Sequence, residues 1–167
     1  MPDTPLAAAE TTNLLCAFVD KLMNGAKSDV LKTIIDTELS CTQFQTLTML
    51  YCDADAQPIH WIAEQLGLSV AATGRGVDKL VRLGLVVRRE DEHDRRIKRV
   101  SLSVSGRKLV ADQFAAVHDR NREFVTRLPD GLRQQLSQAL SQILLGGYLG
   151  PLPAGCIAST LPSKGST

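Results

Sequence analysis

No C-x-x-C pair occurs in this sequence. Its four cysteines, Cys16, Cys41, Cys52 and Cys156, stand far apart, so neither a zinc site nor a disulfide framework is indicated. As small apolar side chains, the first three are expected in the interior. His60, His93 and His118 show no ligand spacing, and no metal is expected. No apolar run approaches the roughly eighteen residues of a membrane span. The start, "MPDTPLAAAETTN", lacks a basic region ahead of an apolar stretch and does not read as a secretory signal; a cytoplasmic location and no membrane partner are expected. A Gly-rich cofactor loop is missing too, as is any Ser/His/Asp or clustered-carboxylate constellation. No catalytic residue and no cofactor can therefore be nominated, which argues against an enzyme.

What is present has the balance of a soluble globular protein: 167 residues, 22% charged and 44% hydrophobic. That length suits one domain with a real core, or one small domain with elaborate termini. The net charge of +1 hides an uneven distribution. Between His60 and Lys108 eleven Lys and Arg face six Asp and Glu, while the rest of the chain has eight against twelve. A basic centre in an acidic frame fits a face for a polyanion; a merely solvated surface would read the same way.

Along the chain, Leu14, Leu15, Phe18 and Leu22 recur at helical spacing and predict a first helix over residues 6–24, with Gly25 as its stop. A shorter helix is expected from Ser28 to Leu39, capped by Ser28 and Asp29. In "SCTQFQTLTMLYCD" a Ser/Thr cap precedes Phe44, Leu47, Leu50 and Tyr51 on one face, a third helix. Next, Ile59, Ile62, Ala63 and Leu66 form a short amphipathic helix ending at Gly67. Ser69 then caps another, whose expected buried stripe is Val70, Thr73, Val77, Leu80 and Val81, ended by Gly84. Two short helices joined by a tight glycine turn make a helix-turn-helix.

Residues 85–89 and 97–103 are β-branched or alternating, and the polar "EDEHDRR" between them is too long for a two-residue turn. A hairpin with a charged tip directly after a helix-turn-helix makes a winged helix. The fold class read from this pattern is mainly α with a small β-hairpin wing. An arginine on such a tip can enter a narrow minor groove, and Asp94, two residues before Arg96, can bridge to it or cap the tip. Arg88, Arg89, Lys98 and Arg99 on the strands can meet phosphates. Gly74 and Gly76, each costing about 1 kcal/mol in a helix, either allow close approach to a DNA backbone or relieve crowding against a neighbouring helix. Arg75 between them can point into a major groove.

The stretch "LSVAATGRGVDKLVRLGLVVRREDEHDRRIKRVSLSVSGRKL", with "LSCTQFQTLTML" upstream, resembles the MarR family of bacterial winged-helix transcription regulators. The matching residues are Gln43 and Phe44, then Leu68, Ser69, Val77, Leu80, Gly84 and Leu85, then Asp94, Arg95, Arg96, Leu102 and Gly106. Asp91 and Glu92 stand where the family often has Asp-Pro. The resemblance spans roughly residues 10 to 145. It implies a homodimer with interlaced N- and C-terminal helices that binds double-stranded DNA at an inverted-repeat operator, with a small aromatic or carboxylate effector releasing the complex. The expected DNA-binding residues are Ser69, Ala72, Thr73, Arg75, Lys79, Arg88, Asp94, Arg95, Arg96 and Lys98, with Arg75 reading a base and Lys79 meeting phosphate. The expected division is 1–56 for dimerisation and support, 57–105 for the winged helix-turn-helix, 106–147 for C-terminal dimerisation helices and 148–167 for an irregular tail.

The outer helices support dimerisation on their own. From Val110 the apolar positions 110, 114, 117, 124 and 128 form a seam interrupted by Asn121, either a polar register-setter or an exposed residue beside an intramolecular contact. A last helix from Pro129 and Asp130 carries Leu132, Leu136, Ala139, Leu140 and Ile143 up to "GG". The Gly/Pro/Ser/Thr-rich tail holds Tyr148, Leu149, Leu152, Ile157 and Leu161, which could dock on the body. In the peroxide-sensing subset of the resembled family the first helix carries a cysteine, a position that Cys16 resembles, making it a possible redox sensor; Asp20 and Cys41 stand about where assisting tyrosines would be. Such a thiol must be accessible. A winged-helix protein-interaction module without DNA binding is the remaining alternative.

Overall fold

The computed structural model describes residues 5–53, 55–91 and 94–148. His93, Cys156 and the tail beyond Tyr148, with the docking expected of it, lie outside them. The described residues form six helices and three strands: α1 (Pro5–Thr37), α2 (Cys41–Cys52), β1 (Gln57–Pro58), α3 (Ile59–Leu66), α4 (Val70–Arg82), β2 (Val86–Glu90), β3 (Lys98–Leu102), α5 (Val104–Arg127) and α6 (Asp130–Leu145). This is the mainly α fold with a hairpin wing that the sequence pattern predicts.

The N-terminal region departs from expectation. Instead of two helices broken at Gly25, α1 runs unbroken from Pro5 to Thr37, and no helix begins at Ser28. One glycine costs about 1 kcal/mol in a helix, too little to stop one flanked by good helix formers. The stop comes at Glu38, which takes φ +54°. There the N–H of Leu39 reaches the carbonyl of Ile34 and that of Glu38 the carbonyl of Ile35, a Schellman closure built without glycine. Gly67 and Gly84, at φ +64° and +69°, close α3 and α4 in the same way and are the expected stops.

Helix α2 starts on a full capping box: the Ser40 hydroxyl accepts from the N–H of Gln43, and the Gln43 side chain accepts from the N–H of Ser40 at 2.8 Å. Leu47 and Leu50 from α2, Ile62 from α3, Val77 and Leu80 from α4, Val86 and Val100 from the wing and Val110 from α5 form one core. Val70 and Val81, expected in the buried stripe of α4, are instead exposed, because the helix meets the core only through Thr73, Val77 and Leu80.

The wing is part of a three-stranded antiparallel sheet in the order β1-β3-β2, with Arg88 opposite Val100 and Gln57 opposite Val100 on the other side. β1 has two residues, too few to show a period. Helix α5 starts earlier than its apolar seam, at Val104, where the Ser103 hydroxyl accepts from Gly106 at 3.0 Å and donates to the Gly84 carbonyl at 2.6 Å. The seam is largely intramolecular: Val110 is in the core, the tilted rings of Phe114 and Tyr51 pack with centroids 5.3 Å apart and those of Phe124 and Phe18 with centroids 5.7 Å apart, while Asn121 is exposed. Cys16 and Cys41 are exposed free thiols rather than interior residues. Cys52 is disulfide-bonded, which the wide spacing of the cysteines did not indicate. No helix among the described residues is long and apolar enough to cross a membrane.

Candidate nucleic-acid interface

Helix α4 is anchored at its start by Ser69, whose hydroxyl accepts from the N–H of Ala72 at 3.2 Å. Its inner face is set by Thr73, Val77 and Leu80. At 3.6 residues per turn, positions 75 and 82 then fall on the opposite side, and Arg75 and Arg82 are both exposed there, with no partner among the described residues. A Cβ placed on Gly74 or Gly76 would meet no neighbouring atom within 4 Å. Crowding within the chain is thus not the reason for either glycine.

The wing tip is organised by carboxylates. Asp91 accepts from the N–H of Asp94 at 3.1 Å, and Asp94 accepts from the N–H of Arg96 at 2.9 Å. The strands close below through Asp91 N–H to the Ile97 carbonyl at 3.0 Å. Asp91 also pairs with Arg99, which donates a further hydrogen bond to the Ala56 carbonyl at 3.1 Å. The acidic residues of the tip therefore hold its backbone and its root, and Arg95 and Arg96 are left exposed. Such a surface offers delocalised, bidentate cations to an anionic partner.

The residues nominated from sequence divide accordingly. Arg75, Arg95 and Arg96 are outward and available, Asp94 braces the tip, and Ser69 caps α4. Thr73 does not belong among the surface residues: it is 4% exposed, and its hydroxyl has no hydrogen-bond partner. Its place in the buried stripe, also read from the spacing, is the one observed. Arg88 is paired with Asp78 of α4 at 2.7 Å, and Lys98 with Glu90 across the hairpin at 2.6 Å. The Lys79 ammonium donates to the backbone carbonyl of Glu38 at the end of α1. Sequence reasoning missed Arg82, although its seven-residue offset from Arg75 puts it on the same face.

A glycine-turned helix pair with a braced, arginine-tipped hairpin defines a winged helix-turn-helix protein. Residues 37–97 match the model of the MarR family, the family that the sequence resembles. No curated protein sequence matches the chain. Among solved structures it is similar to MepR, a transcription regulator of the Staphylococcus aureus multidrug efflux pump MepA, at 21% identity and TM-score 0.63, over 81% of this chain and 96% of that one. It is also similar to S. aureus MepR in complex with DNA, at 22% identity and TM-score 0.54, over 80% and 98% of the two chains. The transcriptional regulator Tm0710 from Thermotoga maritima aligns with TM-score 0.71 at 14% identity, over 84% and 95%. At such identities these likenesses establish the fold.

Proposed function

We propose that this protein is a sequence-specific DNA-binding transcription regulator, a repressor that holds a palindromic operator as a homodimer and is released by a small ligand. The observation that carries the reading is the combination, in one winged helix, of an outward arginine on α4 with two exposed arginines on a carboxylate-braced tip. Arg75 suits a guanine edge in the major groove, and Arg96 the negative potential of a narrow minor groove. The likeness to MepR bound to DNA supports this use of the fold.

Homodimerisation is supported by apolar surface that the single chain leaves uncovered. α6 has no buried residue, yet carries Leu132, Leu140, Ile143 and Leu145, all exposed. On α1, Leu14 and Leu15 are 66% and 59% exposed. Helices this apolar need a partner, and a second copy is the simplest one. In this division, residues 57–105 serve DNA, and 1–56 with 106–147 serve dimerisation and support. An apolar groove of about 490 Å³ between α1 and α2, lined by residues including Met23, Leu31, Ile34 and Phe44, supports an aromatic effector.

The exposed thiol of Cys16 favours a second reading, a thiol-based peroxide-sensing regulator of the same fold. Fluorescence anisotropy on a labelled duplex with a salt titration tests DNA binding directly, since phosphate contacts impose a steep negative slope. Challenge of the complex with aromatic carboxylates and with peroxide, using Cys16→Ser as control, separates the two release mechanisms.

A further inference from the structure

The charged side chains of α4 fall into two sets. Asp78 and Lys79 are engaged within the chain, Asp78 with Arg88 of β2 at 2.7 Å and Lys79 with the Glu38 carbonyl. Arg75 and Arg82 are exposed, have no partner among the described residues, and lie seven positions apart. Seven residues are nearly two full turns, so the two side chains leave the helix in directions within about 20° of each other. The Glu38 carbonyl is a demanding acceptor. It belongs to the left-handed residue that closes α1, at the end of the helix where the backbone dipole concentrates negative potential. A lysine that met a phosphate would have to abandon it.

We propose that Arg82, not Lys79, is the phosphate-contacting cation at the C-terminal end of α4, and that Lys79 is a positioning residue tying the recognition helix to the end of α1. The inference rests on the DNA-binding reading above. It gives α4 two ties on adjacent residues, one to α1 through Lys79 and one to the wing through Asp78 and Arg88. The angle at which Arg75 and Arg82 are presented is then set by the body of the protein. Holding side chains in the docking geometry before encounter removes an ordering cost from binding.

A salt titration separates the two roles. Removing a phosphate contact makes the slope of log K against log salt shallower by about one unit, whereas removing a tether lowers affinity at every salt concentration alike. Arg82→Gln is expected to lower the slope by about one. Lys79→Met is expected to weaken binding about tenfold with the slope unchanged, and Lys79→Arg, which keeps a cationic donor within reach of Glu38, to restore it. Lys79→Gln, a milder change, should likewise leave the slope as in the wild type. A shallower slope in Lys79→Met or Lys79→Gln overturns the proposal, as does wild-type affinity in Lys79→Met or a wild-type slope in Arg82→Gln. Wild-type protein that binds no duplex removes instead the DNA-binding reading beneath it.

Discussion

Asp94 Oδ1 accepts a hydrogen bond from the backbone N–H of Arg96 at 2.9 Å, so the carboxylate two residues before the arginine fixes the tip's backbone and leaves the guanidinium free. Arg96→Ala is expected to weaken operator binding by about 1 to 3 kcal/mol with the protein's assembly mass unchanged. Asp94→Ala should cost about 1 kcal/mol of affinity by loosening the tip, without the shallower salt slope that loss of Arg96 brings. Unaltered binding in Arg96→Ala would take the wing out of the mechanism.

Arg75 faces away from the core at the level of two glycines. Arg75→Ala should flatten base preference at one position of each half-site, read by competition with single-base variants of the operator. Weakening that is uniform across all competitors would assign Arg75 to the DNA backbone instead.

The glycines make opposite stability predictions. At Gly106 a Cβ would lie 2.0 Å from the Leu85 carbonyl oxygen, at the junction where Ser103 also ties α5 to Gly84. Backbone cannot give way as a side chain can, so Gly106→Ala should destabilise the fold by about 3 kcal/mol. Gly74→Ala and Gly76→Ala meet open space and should each stabilise it by up to about 1 kcal/mol. Denaturant midpoints at constant m-value decide both.

Much of the winged helix was legible because its signals are local. The Ser40 and Ser69 caps, the stops at Gly67 and Gly84 and the 73-77-80 stripe each occupy a few consecutive turns and agree with one another. β1 escaped because two residues show no periodicity. α1 reads as two helices in sequence because Gly25 looks like a stop, while the true stop is Glu38, a residue type that rarely closes a helix. The site was harder to read. Arg88 and Lys79 look like free cations in sequence, but their partners stand ten residues away on another element and 41 residues away at the end of α1. Only the folded chain separates the arginines it presents from the cations it uses internally.

Thr73 sits in the core stripe with a hydroxyl that finds no partner. A buried polar group left unpaired costs about 1 to 3 kcal/mol, so Thr73→Val, nearly the same shape without the hydroxyl, should raise stability by about 1 kcal/mol. DNA affinity should not change, since the side chain faces inward. Lower stability would mean that the hydroxyl is hydrogen-bonded in solution.

Selection of binding sites from a pool of random duplexes probes recognition and symmetry together. A homodimer that presents two copies of α4 and its wing should enrich an inverted repeat whose half-site centres are about 10 base pairs apart. Enrichment of no motif, or of a single unrepeated half-site, would contradict the account.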